Sequence, residues 1–228
     1  MAGRFQLALI LAGLSASVCL GQNAPQDKQA PDAEKEDKRI LFVIPNYRTS
    51  PSLHPYVPLT TRQKFKLGSM DSFDRGTVVL AALFAGDAML QNSDPTFGQG
   101  MKGYGHYLGT SYSDLLIGNF MTESLYPTLL HHDPRYFRRG KGTGWSRLGY
   151  AAGQIFWTHT DKGGTAFNLS EIGGNATAVA ISTSYYPGNR NTGDAVSKFG
   201  TQIGVDIAAN ILKEFWPDLN RKFGRHKK

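Results

Sequence analysis

Seven consecutive apolar residues, Val78-Val79-Leu80-Ala81-Ala82-Leu83-Phe84, lie within a helical stretch from about Ser72 to Gln91. A helix that is apolar on every side has to be surrounded. The run therefore predicts a central helix with the rest of the chain packed around it. It falls short of the roughly 20 apolar residues that cross a bilayer, which makes it a core helix rather than a span.

The flanking sequence reads as further helices separated by breakers. Thr60 and Gln63 have the spacing of a capping box, and a break is expected near Gly68. A loop with Gly98, Gly100 and Gly103 leads to a helix over about 104–132, kinked near Pro127 and ended by Asp133-Pro134. A third helix spans about 145–159. A fourth opens at Asn168 with Glu171 and stops before Pro187, and a fifth runs over 194–215 to Pro217. The expected fold is all-α, with about five helices. Glycines recur at a spacing of four (Gly105/Gly109, Gly149/Gly153, Gly200/Gly204). On helix five they fall among Val196, Ile203, Ile207 and Ile211, so the helices are expected to pack closely through glycine-containing faces.

Upstream of Thr60 the composition changes. Residues 1–21 carry Arg4, a short apolar run from Leu7 to Leu14 and then small residues, the pattern of a cleavable secretory signal. Residues 22–39 are polar and mixed in charge, which predicts a disordered tether. A β-prone run (Ile40–Ile44) and Pro45, Pro51, Pro55 and Pro58 predict an extended arm over 40–59, laid across a single domain that reaches residue 228. The chain ends in a basic tail over 218–228. Cys19 is the single cysteine. Ala16-Ser17-Val18 before it fits a lipid-attachment signal poorly, and cleavage after Gly21 would leave no thiol at all. The formal net charge of +7 favours anionic lipid or an envelope polymer as partner over nucleic acid in an exported chain.

Candidate chemistry is sparse. Asp87 and Glu123 both fall on apolar helix faces, where a carboxylate has to be paired, hydrogen-bonded or protonated. A raised pKa there suits a general acid or base, and an arginine such as Arg135 or Arg147 would serve as a purely structural partner. His131, His132 and Asp133 are adjacent, but neighbours on a helix point about 100° apart and do not readily share an ion, so no metal or cofactor is expected. Arg135, Tyr136, Arg138, Arg139, Lys141, Trp145 and Arg147 interleave basic and aromatic side chains in a connection between helices. That composition suits an anionic surface that is wet on one side.

The runs IPNYRT (44–49), LTTRQKFKL (59–67), HHDPRYFRRG (131–140) and KEFWPD (213–218) resemble a family of exported acidobacterial proteins to which no activity is attached. The resemblance implies export and adds nothing about chemistry. Three functional expectations follow from the residues. The first is a non-enzymatic protein of the periplasm or envelope, soluble or peripherally held by its basic-aromatic patch. The second is a hydrolase using Glu123 with Asp87 or a histidine (His131 or His132). The third is a carrier of an apolar ligand.

Overall fold

The computed structural model describes residues 39–41, 44–50, 56–188 and 191–223. The expected signal, nearly all of the tether, Pro51, Pro55 and the end of the basic tail lie outside them. The described chain is mostly helical. Its helices are α1 (Thr61–Ser72), α2 (Arg75–Leu90), α3 (Gly100–Asn119), the short α4 (Tyr126–Leu129), α5 (Gly144–Gly153), α6 (Leu169–Ser182) and α7 (Thr192–Phe223). Three two-stranded ribbons complete the fold: β1 (Arg39–Ile40) with β2 (Ile44–Pro45), β3 (Thr49–Ser50) with β4 (Tyr136–Phe137), and the hairpin β5 (Trp157–His159) with β6 (Thr165–Phe167).

Local signals act where the residues place them. The Thr60 hydroxyl accepts from the Gln63 amide and the Gln63 side chain accepts from the Thr60 amide, a complete capping box. Asn168 caps α6 by accepting from the Glu171 amide at 3.1 Å. Gly68 does not break its helix. α1 ends instead at Phe73, and Asp74 caps α2. Helix three stops at Gly153, and Trp157–His159, expected to be helical, turns back as a strand against β6. Pro217 does not end the last helix, which continues to Phe223. Arg147 braces that turn by donating to the Glu214 carbonyl at 2.6 Å.

The centre of the fold is not α2. That helix lies at the surface with Val78, Val79, Leu83 and Leu90 exposed, Leu83 by 62% and Leu90 by 85%. The middle is a π-helical turn, Phe120–Leu125, between α3 and α4 and packed against both α1 and α6. Pro127 has no amide to donate to the carbonyl of Glu123, so the regular ladder cannot pass through this stretch. The altered turn buries three successive side chains, Thr122, Glu123 and Ser124.

Two glycines pack closely against this turn. A Cβ at Gly68 would overlap Ser124 Oγ, and one at Gly174 would lie 3.1 Å from the Thr122 amide nitrogen. The predicted pairs behave differently. At Gly105, Gly109, Gly149, Gly153 and Gly200 an added Cβ would meet nothing within 4 Å, so these glycines do not serve as close helix contacts. Periodicity marked a face with small residues but carried no information about which face would be covered.

Within the described part of the arm, β3 pairs in parallel with β4, Thr49 opposite Tyr136 and Ser50 opposite Phe137. The Tyr136 amide donates to the Arg48 carbonyl at 2.8 Å and the Arg138 amide to the Ser50 carbonyl at 3.0 Å. This short ladder carries the Arg48 side chain into the interior.

Candidate functional site

Polar residues fill much of that interior. Arg48 donates to the Pro134 carbonyl at 2.8 Å, and its two terminal nitrogens lie 3.4 Å from Glu123 and 3.4 Å from Glu171. Asp71 on α1, Asp206 and Lys213 on α7 complete the group electrostatically. Burial works against the charge on Arg48, but Glu123 and Glu171 hold it above its ordinary pKa. Burial pulls Lys213 down, with Arg48 adding to the effect, against the pull of Asp71 and Glu123.

The carboxyls form two pairs. Burial and then Asp71 push Glu123 well up, and the two side chains are in hydrogen-bonding contact. Asp71 Oδ1 and Glu123 Oε2 are both buried without a donor, and a proton shared between the two groups satisfies the pair. Burial and then Glu171 likewise push Asp206 well up, while Asn175 donates to Asp206 Oδ2 at 2.9 Å. Proton uptake by Glu123 and Asp206, both held well above the ordinary carboxyl pKa, brings the group closer to balance with the cationic side chains Arg48 and Lys213. A neutral cluster avoids the cost of an unpaired charge in a low dielectric.

Arg48, Glu171, Asp206 and Lys213 line a small, partly open cleft, together with Ser170 and Trp157. Trp157 is half exposed, and its ring meets Phe167 edge-on at 6.1 Å, so an aromatic pair stands at the rim. Among the described residues, Lys213 makes no hydrogen bond or close ion pair, although it is almost wholly buried. Behind Ser170 stands His132, its Nδ1 at 2.9 Å from the serine hydroxyl. Burial, reinforced by Lys64, lowers the His132 pKa. Lys64 itself is buried and donates to both Asp161 oxygens and to the Pro127 carbonyl.

The sequence candidates divide between interior and surface. Glu123 belongs to the cluster, and its cationic partner is Arg48 from the arm rather than Arg135 or Arg147. Asp87 accepts from Gln91 at 2.7 Å on its own helix and is not part of the cleft, so the two carboxylates do not work together. His132 supports the cleft. His131 is exposed, takes a left-handed backbone with φ of 55° and sits 3.8 Å from Asp161. Among the described residues no group of His, Cys, Asp and Glu is arranged to hold a metal ion.

The seven basic-aromatic residues do not share one surface. Arg135 clamps Asp133 and donates to the Val57 carbonyl. Tyr136 is buried and donates to Glu214 at 2.7 Å. Arg147 is buried between Glu214 and Asp218, and Arg138 is half-buried. Arg139, Lys141 and Trp145 remain exposed, Trp145 by 78%. Glu214 lies 67 residues from Arg147 and 78 from Tyr136, which is why the local pattern gave no sign that these side chains are buried, whereas Asp133 sits two residues from Arg135.

Sequence reasoning missed Arg48, Ser170, Glu171 as a site residue, Asp206 and Lys213. A signal was present: Asp206, Asn210 and Lys213 recur at i, i+4 and i+7 on a helix whose other side chains there are largely apolar. No family model, no curated protein and no solved structure matches this chain. Among the described residues no helix is long and apolar enough to cross a membrane.

Proposed function

We propose that the chain is an exported hydrolase of the envelope, with its reaction centre in the cleft between the arm, the start of α6 and the middle of α7. The observation that carries this reading is the Glu171–Asp206 carboxyl pair, two acidic side chains in hydrogen-bonding contact that line one cleft with Lys213. Asp206, kept protonated, gives its proton to a leaving group. Glu171 is placed to take one from water. The balanced charge favours a substrate that is neutral at the cleaved bond and both donates and accepts hydrogen bonds. The Trp157–Phe167 rim offers an apolar face to the rest of it. Ester, amide and glycosidic bonds of envelope material fit that description, whereas a charged and polar lining does not suit the apolar cargo of a carrier.

The test is product release, followed by mass spectrometry, from cell-wall sacculi and from a panel of 4-nitrophenyl esters, amides and glycosides. The purified chain is expected to turn over one bond class. Asp206→Asn should lower the rate by about 10²-fold or more while the circular dichroism is kept. Equal rates in that variant, or no turnover of any class by the wild type, would overturn the reading.

A second reading, peripheral attachment to an anionic surface, is favoured by Arg139, Lys141 and Trp145 all standing exposed within seven residues of chain. It uses those three residues and leaves out Arg135 and Arg147, which hold the interior. Flotation with anionic vesicles at low salt is expected to weaken in the triple variant Arg139→Gln, Lys141→Gln, Trp145→Ala. Unchanged flotation would dispose of it.

A further inference from the structure

We infer that Ser170 is the nucleophile of this cleft and His132 its base, so that the bond cut is an acyl bond, an ester or an amide. The inference rests on the cleft being a hydrolytic centre and adds the group that attacks. Ser170 is the second residue of α6, within the first turn that Asn168 caps. Its side chain lines the cleft floor, and its hydroxyl lies 2.9 Å from His132 Nδ1, within the reach a nucleophile needs of its base.

The backbone of His132 is held on two sides. The His132 amide donates to the Pro127 carbonyl at 2.9 Å, and the residue forms an antiparallel bridge with Thr160. Lys64, fixed on Asp161, stands near enough to oppose a positive ring. With the Nε2–H tautomer, neutral His132 presents the Nδ1 lone pair to the Ser170 hydroxyl.

The step closes on itself. Ser170 Oγ bonds to the acyl carbon and its proton passes to His132 Nδ1. The bond from carbon to the leaving oxygen or nitrogen breaks, and that atom takes the proton of Asp206. Water then adds to the acyl-serine and gives its proton to Glu171, which passes it to Asp206 across their hydrogen bond and so restores the acid. The ester bond to Ser170 breaks, and Oγ recovers the proton from His132. Arg48 and Lys213 supply positive charge for the carbonyl oxygen in each half.

A fluorophosphonate probe tests this without knowledge of the substrate, since serine displaces fluoride from phosphorus. Peptide mass spectrometry of the labelled wild type should place the adduct on Ser170, and Ser170→Ala should abolish it. His132→Gln should slow labelling by about 10²-fold or more with the fold retained. In the wild type the labelling rate should hold from pH 8 to pH 6.5 and fall at lower pH as His132 takes a proton. The pH profile reads the pair even where the His132 variant does not fold. No adduct on Ser170, or a rate indifferent to pH, overturns the proposal. Hydrolysis that depends on Asp206 in a chain the probe does not label would keep the cleft reading and remove the nucleophile.

Discussion

Replacing Glu214 with alanine is expected to lower stability by about 3–5 kcal/mol, the cost typical of removing one partner from a buried charge pair. The carboxylate is fully buried. It accepts from the Tyr136 hydroxyl at 2.7 Å, from Arg147 Nε at 2.8 Å and from the amides of Gly140 at 2.9 Å and Arg139 at 3.0 Å. Alanine leaves four donors without that acceptor and Arg147 with Asp218 as its remaining carboxylate. Thermal unfolding should show the loss at roughly 2–4 °C per kcal/mol for a chain of this size. Glu214→Gln keeps an acceptor but not the charge, so it should fall between alanine and wild type. A shift under 2 °C for the alanine variant would mean that these bonds are not formed in solution. The damage should also reach the cleft, because Tyr136 belongs to the strand that holds the arm and therefore Arg48.

Arg48→Met should be nearly as severe, about 3 kcal/mol at neutral pH, because it removes one of two cations facing four carboxyls. Its distances of 3.4 Å to Glu123 and Glu171 put it at the lower end of that range. The pH dependence follows from the direction of the shifts. Glu123 and Asp206 already have folded-state pKa values above their ordinary ones, and loss of the Arg48 charge raises them further. A raised carboxyl contributes stability below its unfolded pKa and loses it as pH rises toward the folded value. The deficit of Arg48→Met should therefore be small near pH 4 and large at pH 7 to 8. Urea denaturation at both pH values measures it, and an equal deficit at the two would contradict a charge-balanced cluster.

Several parts of the molecule were legible from the residues alone. Thr60 with Gln63, Asn168 at the start of α6 and the disruption before Pro127 are local devices. Each works through a hydrogen bond made or denied within about one turn of its own position. Glu123 was also legible as a carboxylate turned toward the core. Its partner was not, because Arg48 lies 75 residues away and comes from an arm that carries no helical pattern.

The apolar run of α2 and the basic-aromatic connection mislead for a common reason. Hydrophobicity states a preference for burial, but the π turn beside α1 and α6 took the central place, leaving Leu83 and Leu90 outside. Basic residues state a preference for water, but Glu214 and Asp133 draw Arg147 and Arg135 inward. By itself the amino-acid sequence determined the mostly helical content and the caps at Thr60 and Asn168, since these are set by neighbours in the chain. Only the tertiary structure decided which faces are covered and which charges meet, because pairs such as Arg48 with Glu171, 123 residues apart, exist only once the chain has closed around them.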